Sequence, residues 1–248
     1  MAVGVQTTTA NSAAKFHLTD GDINFSTSED LGGGLSVSAS TSISTEAGRS
    51  VNTLNNNVAM SISGGFGKLA YQRILSGKAK MGDISVEDDI TVIAGGYTKP
   101  SIFNYTTPEL MAGTTVVLEW ANGTDNTDIT VGGAPNVYLN WAGSGATVSA
   151  QTGGATKNWD LRATYDAGMA KIVGRTTKTK VTEFGFDVPN GAMTFSLRSY
   201  NDKTNTRKAS GFGMTYAMSK QTSVIFGYVS GKGSANGNNY RVQLKKAF

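Results

Sequence analysis

Residues 238–248 read NNYRVQLKKAF. Counting back in twos from Phe248 gives Lys246, Leu244, Val242 and Tyr240, and the other parity gives Ala247, Lys245, Gln243 and Arg241. A mostly apolar face and a mostly polar face alternate up to the last residue, which is the two-residue period of a β-strand. Chain ends usually fray unless something holds them. A terminus built as a full amphipathic strand is explained if the sheet rolls round, so that its last strand pairs with its first and neither is an edge.

The same alternation recurs along the chain. Residues 35–43 (LSVSASTSI) put Leu35, Val37, Ala39 and Ile43 on one side. TVVLEW (115–120), VYLNW (137–141), DLRATY (160–165), EFGFDV (183–188), MTFSLRS (193–199), GFGMTYAM (211–218) and VIFGYV (224–229) repeat it. Turn-forming stretches separate these runs: SEDLGGG (28–34), GGFG (64–67), GSG (143–145), DAG (166–168), PNG (189–191) and SKQ (219–221). No helical period persists for three turns, so the chain reads as all-β. The tight connections alternate with longer polar ones at 122–136, 175–180, 201–208 and 231–239. That rhythm predicts an antiparallel up-and-down transmembrane β-barrel rather than a Greek-key sandwich. A chain of 248 residues accommodates about 16 strands of ~9–11 residues in one domain over 1–248. The count includes runs near 3–10 and 101–106 and falls to fourteen if one of them is no strand.

Composition removes other classes. There is no Cys and a single His, His17. Disulfides and Cys-bound zinc are excluded, and a His-based metal centre or triad has no second member. A hydrolase built on a barrel would need a nucleophile or acid beside His17, and the sequence places none there, so no catalytic group, metal or cofactor is expected and the protein reads as a non-enzyme. The clustered carboxylates of DISVEDD (83–89) lack EF-hand spacing, and SGGFGK (63–68) lacks that of a phosphate-binding loop. The net charge of +4 comes without a basic run, so no nucleic-acid partner is expected. No apolar stretch approaches the ~18–20 residues of a membrane helix, a test that barrel strands escape because they alternate. The first residues, MAVGVQTTTANSAAKF, lack the pattern of a secretory leader. If the protein is exported, Met1 stands where a leader was removed.

The alternation needs an inside and an outside. One parity carries Glu119, Arg162, Lys171, Arg175, Glu183, Asp187, Arg198, Arg241 and Lys245. These are too many charges for a dry core. The opposite parity is apolar in nearly every strand, and a soluble protein exposing it would aggregate. Lipid outside and a water-filled lumen inside satisfy both. Trp120, Trp141, Tyr165, Tyr216 and Tyr228 lie at strand ends or beside turns, where an interfacial girdle belongs. Tyr240, Val242, Leu244 and Phe248 then face lipid, with Lys246 snorkelling to the interface.

At these residues a family resemblance enters. YRVQLKKAF (240–248) resembles the last strand of Gram-negative outer-membrane proteins. SEDLGGGLSVSASTSI (28–43) and NNNVAMSISGGFGKLAYQR (55–73) resemble successive hairpins of the general porins of proteobacteria. FNYTTPELMAGTTVVLEWA (103–121) and GFGMTYAMSKQTSVIFGYVSG (211–231) resemble later ones, in the family's order. The resemblance implies a 16-stranded homotrimer in the bacterial outer membrane, surrounded by its lipid and lipopolysaccharide. Ions and small hydrophilic solutes would pass by diffusion, and the barrel-assembly machinery would read Tyr240, Val242, Leu244 and Phe248. It also implies that the third long loop, here at about 76–99, folds into the lumen and forms the constriction. Two features depart from the family. The chain is short, which implies clipped external loops. The family's acidic Pro-Glu-Phe-Gly-type motif is absent from 76–99, and PEL at 108–110 lies later, in what reads as a periplasmic turn.

The expected mechanism is electrostatic filtering. Asp83, Glu87, Asp88 and Asp89 on the loop would face Arg162, Lys171, Arg175, Arg198 and Arg241 on the wall. Arg73 shares the parity of Leu69 and Tyr71 and joins them only if its strand bends. The excess of basic charge points to a weak anion preference. Two alternatives stay open: these are ordinary solvated lumen residues, or the chain is a non-conducting structural or adhesive β-rich protein.

Overall fold

A computed structural model describes residues 2–6, 13–20, 22–44, 54–73, 101–121, 134–153, 158–232 and 238–247. Among these residues the chain is strand and turn throughout. The strands are β1 Ala2–Gln6, β2 Lys15–Asp20, β3 Asp22–Gly32, β4 Leu35–Ser44, β5 Leu54–Gly64, β6 Gly67–Arg73, β7 Ser101–Thr106 and β8 Thr114–Ala121. They continue as β9 Asn136–Gly143, β10 Ala146–Gly153, β11 Asn158–Asp166, β12 Lys171–Thr177, β13 Val181–Asn190, β14 Met193–Asp202, β15 Arg207–Ala217, β16 Thr222–Lys232 and β17 Asn238–Lys246.

From β3 onward each strand pairs antiparallel with the next, up to β17. β1 then pairs with β17, from Ala2 opposite Lys245 to Gln6 opposite Arg241. It pairs on its other side with β2. The order of neighbours thus returns to its start with one seam. β2 and β3 are separated by residue 21 alone; β2 pairs with β1, β3 with β4, and the seam is bridged along the chain. Counted as one span, β2 and β3 bring the total to sixteen. Of the two runs that decide the count, 101–106 is β7 and the one near 3–10 holds β1 over Ala2–Gln6, its residues 7–10 lying outside the described residues. The expected account of the terminus holds for the described residues: β17 lies between β16 and β1 and is no edge.

Short turns join the strands at one end, at 33–34, 65–66, 144–145 and 191–192. The β3–β4 turn shows why its glycines are there. Gly32, Gly33 and Gly34 have φ of 77°, 62° and 78°, a left-handed run that side chains resist. At the other end the connections are longer in the first half of the chain, notably 74–100 and 122–135. In the second half they are shorter than the sequence suggests. Strand pairing absorbs Arg175–Thr177, Asn201–Asp202 and Arg207–Lys208, leaving turns at 178–180 and 203–206. Polar composition reads as loop here because these strands are polar on both faces where they meet the turns.

Burial is inverted relative to a soluble sheet. On β13, Phe184 is 52% exposed while its neighbour Glu183 is 6% exposed. On β17, Val242 and Leu244 are exposed and Arg241 and Gln243 are buried. The buried apolar residues Ala70, Ile102, Tyr138, Ala209, Ile225 and Val229 all share the parity of the charges, not that of the exposed aromatics. There is no apolar core among the described residues. The apolar parity faces out and the polar parity faces in, as the sequence required.

Candidate pore wall

Two inward-facing surfaces stand out, and the register positions both. In β11–β14 the tight turns 167–170 and 191–192 set the pairing. Arg162 lies opposite Arg175, Arg175 opposite Glu183, and Glu183 opposite Tyr200. Two guanidinium groups in adjacent strands would repel. The neighbouring carboxylates offset this. Arg175 donates from Nε and Nη2 to Asp160 at 2.6–3.0 Å and from Nη1 to Glu183 at 3.3–3.4 Å. A forked guanidinium holding two carboxylates is a charge-assisted arrangement that fixes side-chain direction as well as energy. A second cluster lies nearer the short turns. Arg198 donates to Asp187 at 2.6 Å, Ser196 donates to the same oxygen at 2.7 Å, and Lys171 lies opposite Asp187 in register. Arg198 also donates to the carbonyls of Phe186 and Leu197, both at 3.0 Å. Its side chain lies flat over Gly185, where an added Cβ would come within 2.4 Å of Arg198 Cδ.

Further round, Glu119 on β8 accepts from Tyr138 Oη and Asn136 Nδ2, each at 3.3 Å. At the other end of β14, Asp202 accepts from the backbone of Thr204 and Asn205, both at 3.0 Å, and from Asn205 Nδ2 at 2.7 Å. That carboxylate shapes the turn at 203–206.

The second surface lies on β3–β6 and is built from hydroxyls. Ser26, Ser28 and Asp30 pair with Ser40, Ser38 and Ser36, which pair in turn with Ala59, Ser61 and Ser63. Ser36 bonds Ser63 at 2.9 Å and Ser38 bonds Ser61 at 2.8 Å. A cavity of ≈ 430 Å³ lies against this face, with Lys68 and Gln72 among its lining residues. Small polar side chains leave room there and carry little charge.

Among the basic residues expected in the wall, Arg162, Lys171, Arg175 and Arg198 come together on β11–β14 with their acids. Arg241 is buried on the inward parity of β17, opposite Gly227, away from that group. Arg73 departs from the expected wall. β6 runs without a bulge through Arg73, opposite Val58 and Ser101, so it stays on the outward parity of Leu69 and Tyr71; the bend that would have turned it inward does not occur. Asp83, Glu87, Asp88 and Asp89, with the segment 76–99, lie outside the described residues, as does Phe248. Tyr240, Val242 and Leu244 sit exposed on the outward parity of β17. The sequence reading named the basic wall but not its pairing with Asp160, nor the serine ladder. Both follow once strand numbers are summed across the tight turns.

No family model matches the sequence, and no curated protein matches it. Solved structures do. The chain superposes over 100% of its length on 97% of a mutant of the Rh. blastica porin, with a TM-score of 0.72 at 12% identity. The chain has the porin fold. An anion-selective porin from Comamonas acidovorans matches with a TM-score of 0.66 at 16% identity, over 100% of this chain and 96% of that one. The trimer form of OmpT, an outer-membrane protein of Vibrio cholerae, matches at 0.70 and 11%, over 100% and 97%. At such identities the likeness is one of architecture alone.

Proposed function

We propose that this protein is a passive diffusion channel of a bacterial outer membrane, passing ions and small hydrophilic solutes and carrying out no chemistry. The observation that carries this is the inverted burial. Charges and hydroxyls line the inward parity, and a belt of exposed Leu, Phe, Tyr and Val covers the outward one. A surface of that kind is stable when lipid replaces water outside and water fills the inside. The long connections then face the exterior and the tight turns the periplasm. The acids of 76–99 would narrow the passage against the basic wall. The net charge of +4 favours a weak anion preference, and the anion-selective porin among the structural neighbours is consistent with it. A homotrimer is the expected assembly, with outer-membrane lipid around it and the barrel-assembly machinery reading the β17 terminus.

Conductance of the refolded protein in a planar bilayer tests the reading, together with the reversal potential under a KCl gradient. Conductance in steps of three with mild anion preference is the expected result. A correctly folded barrel that never conducts overturns the channel and leaves a structural or adhesive protein.

A further inference from the structure

The charged wall ends, away from the short turns, in a recess that its ion pairs do not fill. Asn136, Gly153 and Asn158 lie side by side on β9, β10 and β11. Gln151, Asp160 and Thr177 lie side by side one step nearer the short turns, on β10, β11 and β12. All six have the inward parity, while Leu139 and Leu161 on the same strands are exposed on the other face. The first row has a gap in its middle. Gly153 carries no side chain and could hold none: at its φ of 118° an added Cβ would come within 2.5 Å of Pro135 O. The gap opens on a cavity of ≈ 300 Å³ whose lining includes Asn136, Gln151, Asn158, Asp160, Arg175 and Thr177. Ligand sites span ~300–1,000 Å³, so this one suits a single ring.

The lining selects the chemistry of the ligand. Its two charged groups, Asp160 and Arg175, are bound to each other at 2.6–3.0 Å. They bring direction but no net charge. An ion gains nothing from such a pair, and a zwitterion would have to part it. The other polar groups are hydroxyls and three side-chain amides. Each amide both donates and accepts, as a sugar hydroxyl does. Glu119 accepts from Asn136 at 3.3 Å, and Arg175 is held by Asp160 and Glu183; Gln151 and Asn158 belong to neither set.

We propose that this recess is a binding subsite for a neutral saccharide, at the end of the pore that carries the long connections. Adjacent ring hydroxyls would donate to Asp160 and exchange hydrogen bonds with the amides of Gln151 and Asn158. Among the described lining residues the one aromatic, Trp159, has the outward parity of Leu161, so no ring stacks beneath the sugar. Binding is therefore weak, which passage requires: a permeating species must be held loosely enough to leave. The subsite rests on the channel reading and makes passage saturable for one class of solute.

The test follows the current through the full-length protein in a planar bilayer as D-glucose is added. A solute that merely displaces electrolyte lowers the current in proportion to its concentration, whereas a bound one lowers it along a saturating curve. A saturating fall is expected with D-glucose. A proportional fall is expected with a polyethylene glycol oligomer of similar mass, which carries no ring hydroxyls; this comparison needs no variant. Each hydrogen bond lost weakens binding roughly five-fold, so Gln151→Ala with Asn158→Ala should raise the half-saturating concentration about 25-fold. A proportional fall with D-glucose overturns the proposal, as does equal saturation by the polyether. So does an unchanged half-saturation in the double variant, once its heat-modifiable mobility shows a folded barrel. A shift produced by Ser26→Ala with Ser40→Ala, and not by the pair at the recess, overturns it too, since the sugar then sits on the hydroxyl wall. Equilibrium binding of D-glucose to the refolded protein in micelles separates the two readings. Binding that the double variant loses, in a barrel that never conducts, overturns the channel alone. Conductance without saturation overturns the subsite alone.

Discussion

The inward faces of β3–β6 and of β11–β14 belong to one sheet, yet they are built on opposite terms. Round the ring, β4 and β12 are as far apart in one direction as in the other. On β4 and β5, serine meets serine across the strands at 2.8–2.9 Å. On β11–β13, Arg175 holds Asp160 and Glu183. Both faces satisfy the same backbone ladder, so neither pattern is needed to make a barrel. Where water reaches it, the nearly neutral hydroxyl face should tolerate change, because each side chain can exchange its partner for water. The charged face is a network in which removing one member strands the others. In the proposed channel, a wall that combines the two would set up an asymmetric field across the lumen.

The comparison breaks most readily at Arg175. Arg175→Ala leaves Asp160 and Glu183 facing each other beside a single guanidinium, that of Arg162. A fully buried pair broken in this way loses ~3–5 kcal/mol, and the side chains of Arg175 and Asp160 keep 18% and 14% exposure, so about 2–3 kcal/mol is expected. Urea unfolding of the barrel in micelles, followed by tryptophan fluorescence, measures it. The reversal potential should also move toward cations in dilute salt. That shift should largely vanish in ~1 M KCl, where the Debye length falls to about 3 Å from about 10 Å at ~0.1 M. If stability and selectivity both stay unchanged, the charged wall is no more organised than the serine wall.

Gly185 gives the next largest effect. An alanine there would drive its Cβ against Arg198 Cδ and, at 2.6 Å, against Leu197 O. Arg198 would have to leave the carbonyls and Asp187, at a cost of ~1–3 kcal/mol. Gly174→Ala is the matched control on the adjacent strand. Its Cβ meets nothing nearer than Glu183 O at 4.0 Å, so it should be neutral or stabilising by ~0.4–1 kcal/mol through the unfolded chain. Equal losses at both positions would mean that strand glycine itself matters, not the Arg198 slot.

Much of this was legible in the sequence, and the limits have physical causes. Period-two alternation identified the strands and their faces because lipid and water impose opposite demands on alternate residues. The basic wall was visible as charges on one parity. Its pairing needed register, which the DAG and PNG turns encode: Arg162 meets Arg175, and Gly185 meets Arg198, as soon as the turn residues are placed. The serine ladder is not legible in the sequence because serine gives no chemical signal there; its meaning comes from facing more serine. The loops expected at 175–180 and 201–208 are shorter in the structure because Thr and Lys serve equally in turns and at the polar end of a strand. Arg73 shows the converse: parity alone had it right, and the expected bend did not occur.

A smaller effect comes from adding charge to the neutral side. Ser61→Asp places a carboxylate on a wetted face, so its stability cost should stay under about 1 kcal/mol. The reversal potential should nevertheless shift toward cations, since a lumen charge acts through the field and not through packing. A large loss of stability would show that the serine face is not wet.

The smallest effect is the most discriminating. Ser38→Ala removes one half of the 2.8 Å pair with Ser61. If lumen water reaches this face, the remaining hydroxyl bonds water, and the loss should be about 0.5 kcal/mol. Ser61→Ala should cost the same, and the two together should nearly add, with a coupling below ~0.5 kcal/mol. The equivalent cycle of Arg175→Ala with Glu183→Gln should couple by more than ~1 kcal/mol, because each charge there has come to depend on the other. Coupling at the serines as strong as at the arginine would mean that another part of the chain covers the hydroxyl ladder and keeps water from it. The neutral wall would then be an internal seat for that segment, and the open passage would lie on the charged side.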